Sequence, residues 1–150
     1  MRRTIVISTL VSGTLDILFA ICLSLFNGRD PMVMLRYVAA GPFPNAKEWG
    51  VAGSIAGLLV HFTLMAIMAT AFSVGLQRWP NLLSKPLQTG VLYGLVTYVV
   101  MNWIVVPLRF DNPLPPKPTA IATQLFAHIV LVGIPMALIA SRGRHAKAFA

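Results

Sequence analysis

Acidic residues are scarce in this chain of 150 residues, with four Asp and Glu against twelve Lys and Arg. Charged residues together make up 11%, where soluble domains carry about 25%. With 57% hydrophobic residues and a mean hydropathy of +0.76, the composition excludes an ordinary soluble domain and reads as a membrane protein. Cysteine occurs once, at Cys22, so neither a disulfide nor a cysteine zinc framework can form. That thiol lies inside the first apolar run, where it is expected to face lipid or the core. Ile21 precedes it where a lipoprotein signal needs a small residue. The net charge of +8 forms no stripe: the basic residues come in ones and twos at "MRR", "LQRW", "LSKP" and "SRGRHAK". A nucleic-acid reader would gather them on one face, so nucleic acid is not an expected partner. No H-E-x-x-H and no Ser-His-Asp order is present, which argues against the commoner hydrolases. No internal repeat suggests a repeat-built transporter.

Four apolar runs are present, at about 4–27, 51–76, 87–108 and 119–141. Each exceeds the roughly 20 helical residues needed to cross a bilayer core. The expected fold is therefore all-α: one domain, 1–150, built as a bundle of four transmembrane helices. The first run is too long for a signal-peptide core and lacks a cleavage site. In the first connection, Pro31 is placed to start a short amphipathic helix ending near Gly41, with Met32, Met34, Leu35 and Val38 on its apolar side. "QRWPNLLSKP" suits a tight link between antiparallel neighbours, and the proline-dense "RFDNPLPPKP" an extended strap. If both ends share a face, that face carries Arg2, Arg3, Arg78, Lys85, Arg142, Arg144 and Lys147, against Arg29, Arg36, Lys47, Arg109 and Lys117 opposite. Positive charge favours the cytoplasmic side, so both termini are expected there. The tail histidine, His145, is read as exposed.

Within this apolar setting "GTLDILFAIC" places Asp16 near the middle of the first run. Insertion of Asp costs about 2.5–3.5 kcal/mol, and each central Leu, Ile, Phe or Val returns about 0.3–0.6. The run holds enough of these to insert, but Asp16 needs a partner or a proton. His61, Tyr98, Asn102, Gln124 and His128 are the polar residues of the other runs. Asp16, His61 and His128 fall at similar depth and form a candidate buried layer. Residues four apart share a helix face. Ser8, Ser12 and Asp16 form such a stripe, as do Gly53, Gly57 and His61, then Gly90, Gly94, Tyr98 and Asn102, and finally Gln124 with His128. The glycines are read as helix-packing positions, the polar groups as facing the bundle interior, and Met65, Met68 and Met101 as apolar filler.

Intramembrane ionisable groups are costly and tend to mark function, yet an Asp–His pair can equally hold helices together. The sequence leaves both open. The expected function is a non-enzymatic structural or accessory membrane protein without a cofactor, in contact with the lipid bilayer and with other membrane subunits as candidate partners. The alternatives are a small proton, ion or solute transporter that uses the layer, and a haem-b protein ligated by His61 and His128.

The segments "LLVHFTLMAIMATAFSVGLQRWP", "GVLYGLVTYVVMNWIVVPL" and "LFAHIVLVGIPMALIASRGR" resemble the YagU-like family of bacterial inner-membrane proteins, a domain of unknown function. The shared pattern is an early histidine, an aromatic–proline pair, a glycine-rich helix ending near proline, and a small residue followed by histidine. It covers the second half to two thirds of the chain. The positions that match are His61, Trp79, Pro80, Gly90, Pro107 and His128, and Asp16 has no counterpart. The resemblance implies an inner-membrane location and no established activity.

Overall fold

The computed structural model describes residues 1–111 and 114–148, with side chains of the last helix described through Gly143. The architecture is all-α. Helix α1 spans Arg2–Phe26, the short α2 Pro31–Ala39 and α3 Gly50–Arg78. Helix α4 runs over Pro86–Phe110 with a π-helical segment at Val100–Val105. Helix α5 starts at Pro118–Phe126, widens into a π segment at Ala127–Gly133 and continues as Ile134–Ala148. The four long helices have apolar windows of mean hydropathy 2.1, 2.0, 1.8 and 1.9, each long enough to span the roughly 30 Å hydrocarbon layer. Their outward surfaces carry Leu15, Leu18, Ile55, Leu59, Leu92 and Val96, all exposed. This is a multi-pass membrane protein.

Helix α1 packs against both α3 and α5, and α5 against α4. Tyr93 reaches from α4 to α3, where its hydroxyl donates to the Met68 carbonyl at 2.6 Å and its ring packs on Phe72. The apolar core lies towards the termini and comprises Met65, Ala69, Phe72, Val132, Met136, Ala137 and Ala140.

The amphipathic segment forms where Pro31 starts it, capped by the Asp30 carboxylate, which accepts from the Met32 N–H at 2.8 Å. It is tucked against the bundle, on α3. Leu35 and Ala39 are buried, and a side chain at Gly57 would overlap the Leu35 carbonyl. Ser54 of α3 donates to the Met32 carbonyl at 2.9 Å. Arg109, at the end of α4, donates to the carbonyl oxygens of Ala40 and Gly41 at 2.8 and 2.6 Å. It thereby satisfies two acceptors that the end of α2 leaves open.

Both π segments have the same cause. Each ends two residues before a proline, Pro107 in α4 and Pro135 in α5. Proline lacks an N–H, and its ring collides with the carbonyl four residues back. Opening that turn to π geometry relieves the collision without breaking the helix. "QRWPNLLSKP" contains a 3-10 turn at Pro80–Ser84. Of the proline-dense strap, Arg109 and Phe110 still belong to α4, 114–117 are non-helical, and Asn112 and Pro113 lie outside the described residues, as does the His145 side chain.

Candidate functional site

All of the intramembrane polar residues expected from the sequence except Gln124 fall into two clusters, each at a different helix pair. The first joins α1 to α3. Gly13 leaves room on α1 for Phe62, whose ring would lie 2.7 Å from a Cβ at that position. This close approach lets His61, buried at 7% exposure, place Nε2 2.9 Å from the Gly13 carbonyl oxygen. A carbonyl only accepts, so Nε2 carries the hydrogen. His61 Nδ1 then faces Asp16 Oδ2 at 3.9 Å, ion-pair distance and longer than a hydrogen bond. An ion pair across that gap requires a protonated ring beside an ionised carboxylate. The Asp16 side chain keeps 22% of its surface exposed.

The second cluster joins α4 to α5, and glycines make it. A Cβ at Gly94 would meet the His128 carbonyl oxygen at 2.5 Å and the Ile129 Cα at 2.6 Å. One at Gly90 would meet the Ile134 Cα at 2.7 Å, and one at Gly133 would overlap the Gly90 carbonyl. With the backbones this close, His128 is buried and enclosed by α4. Its Nε2 lies 3.3 Å from the Asn102 amide nitrogen and its Nδ1 3.1 Å from Thr97 Oγ1. Thr97 donates to the Gly94 carbonyl at 3.0 Å. One orientation of protons satisfies the whole chain: Asn102 donates to Nε2, Nδ1–H donates to Thr97, and Thr97 donates to Gly94. His128 is then neutral. Tyr98 packs edge-on to the imidazole, with ring centroids 6.2 Å apart, and its hydroxyl accepts from the Trp103 indole N–H at 3.1 Å.

Asp16 and His128 occupy similar levels, because Ser12 pairs with Val132 and Phe19 with Phe126 on either side. They nevertheless belong to different clusters: Asp16 meets His61, and His128 is taken by α4. Gln124 is half-buried one turn before His128, and its side chain makes no hydrogen bond among the described residues. Gly53 and Gly57 share the stripe of His61 but serve a different partner, since they receive Ala46 and Leu35 of the α2 region. Of the positions in the resemblance, Gly90 lies in the α4–α5 notch, Pro107 follows the α4 π segment, and Trp79 and Pro80 mark the end of α3.

Thr97, Gly13, Gly133 and Arg109 were not singled out from the sequence. Gly133 stands five residues after His128, off the four-residue stripe, because the π turn shifts the register. Pro135 was the available signal for that shift. A haem iron held by both histidines fits this arrangement poorly. Nε2 is engaged on each ring, and the glycine contact between α4 and α5 leaves no slot for a macrocycle at His128. Compared with family models, curated proteins and solved structures, the chain matches none.

Proposed function

We propose that this is a structural or accessory membrane protein whose intramembrane polar groups hold its helices in register. One observation carries the reading: three of the four imidazole nitrogens of His61 and His128 lie at hydrogen-bond distance of a neighbouring helix. Such bonds are worth about 0.6 kcal/mol on average and up to about 1.7 in a membrane protein. Together with the glycine contacts, they describe a scaffold. A membrane partner is favoured by the outward side of α3, where Thr63, Ala66, Thr70 and Ala71, with the exposed Ile67 among them, line a shallow groove. Small residues at this spacing admit a further transmembrane helix. The resemblance to YagU-like proteins and the charge bias support a bacterial inner membrane with cytoplasmic termini.

A second reading is favoured by Asp16 alone. Its carboxylate is partly exposed, and the pair it forms with His61 is attractive with one proton aboard. That is the elementary requirement of a proton-binding step. The two readings separate in proteoliposomes. The scaffold reading expects proton or cation flux no faster than lipid leak, with unfolding at lower denaturant in His61→Leu and His128→Leu. Flux that Asp16→Asn abolishes while the fold survives would replace it with the transport reading.

A further inference from the structure

The end of the bundle that carries the termini has a feature the scaffold reading does not use. There a cleft of about 290 Å³ opens between α3, α5, the start of α1 and the turn at Pro80–Ser84. Its polar lining includes Thr4, Ser73 and Gln77, while Leu76, Leu83 and Ala140 make its apolar walls. Ser73 and Ala140 form a buried floor, at 8% and 6% exposure, and the apolar core lies below them. Among the described residues no Lys or Arg lines the cleft itself, but basic residues adjoin its lining residues in the chain. Arg2 and Arg3 lie between the lining residues Met1 and Thr4, Arg78 follows Gln77, Arg142 precedes Gly143, and Lys85 closes the adjoining turn. All five side chains are exposed and free of ion pairs among the described residues. The four acidic residues, Asp16, Asp30, Glu48 and Asp111, all lie elsewhere.

We infer that this cleft binds an anionic phospholipid, with the phosphate at the arginines and the glycerol and first acyl carbons in the groove. Three features favour a lipid over a free anion. The walls are apolar and would gain nothing from inorganic phosphate. The polar lining groups, two hydroxyls and an amide, can donate to the ester oxygens of a glycerol backbone. The cations lie at the ends of membrane-length helices, where basic clusters recognise anionic head groups. The inference is independent of whether the polar clusters are structural or conduct protons.

The test is native mass spectrometry of the full chain in detergent, titrated with phosphatidylglycerol and with phosphatidylcholine of identical acyl chains. Phosphatidylglycerol should bind at least about tenfold more tightly, and each of Arg78→Gln and Arg142→Gln should weaken it about fivefold. Phosphatidylcholine binding should change little in these surface variants. Gly143→Leu keeps every charge but fills the mouth, since a Cβ there meets only Thr4 Oγ1, at 3.4 Å. It should lose the bound lipid while remaining monodisperse. Equal binding of the two lipids, or a preference unchanged in the arginine variants, would overturn the inference. Displacement of the lipid by equimolar inorganic phosphate would overturn it in favour of a free-anion site.

Discussion

His61 Nε2 and the Gly13 carbonyl oxygen, 2.9 Å apart, tie α3 to α1 through a backbone acceptor. Because that acceptor cannot give a proton, the same contact fixes which ring nitrogen is left for Asp16. The carboxylate is thus placed 3.9 Å from the ring nitrogen that the backbone does not engage.

Removing the imidazole should cost more than one hydrogen bond. His61→Leu is expected to lower stability by about 1–3 kcal/mol, because the Gly13 carbonyl and Asp16 both lose their partner. Asp16→Asn added to His61→Leu should restore part of the loss. Equilibrium unfolding of the single and double variants in mixed micelles measures the coupling, and strict additivity would show that the pair does not interact.

The α4–α5 contact is backbone on backbone, so it cannot yield as a flexible side chain would. Gly94→Val and Gly133→Val should each destabilise by about 3 kcal/mol or prevent assembly, at the upper end of overpacking costs. Gly75 provides the control, since nothing lies within 4 Å of a Cβ there. Gly75→Ala should be neutral or slightly stabilising, as expected for a helix interior. Similar losses at all three positions would contradict the close approach.

Arg109 holds the end of α2 through two donors on two carbonyls, a geometry a lysine ammonium does not reproduce. Arg109→Lys should therefore behave like Arg109→Ala. Amide exchange should accelerate across 36–43 while α3 and α5 stay protected, as for a local opening. Full protection in the lysine variant would show that charge alone suffices.

The proton arrangement around the two rings can be read directly. Nitrogen chemical shifts of labelled histidine should report Nδ1–H for His128, with its Nε2 accepting from Asn102, and Nε2–H for His61. Replacing Asn102 by Leu removes the donor to His128 Nε2 and should shift that nitrogen alone among the imidazole signals.

The spanning helices were legible because apolar length is a strong signal: expected starts at 4, 51, 87 and 119 compare with Arg2, Gly50, Pro86 and Pro118. Pro31 announced α2 for the same reason it forms, a fixed φ suited to a first turn. The pairing of polar groups was not legible. Stripes say which residues share a face, not which helix that face meets. Gly57 and His61 illustrate the gap, because one stripe serves α2 at Gly57 and α1 at His61. Gly133 and Thr97 escaped for a second reason: a π turn changes the period on which the stripes were counted.

The pairing of α1 with α3 also has a consequence in time. Gly13 and His61 are 48 positions apart in the chain, and ribosomes add about 5–20 residues per second. The nascent first helix therefore waits about 2–10 s, at that rate, before the residue that will hold its carboxylate has been made. Whatever shelters Asp16 in that interval must come from the insertion machinery, the surrounding lipid or the proton it carries. Assembly of this protein is accordingly a matter of schedule as well as of fit.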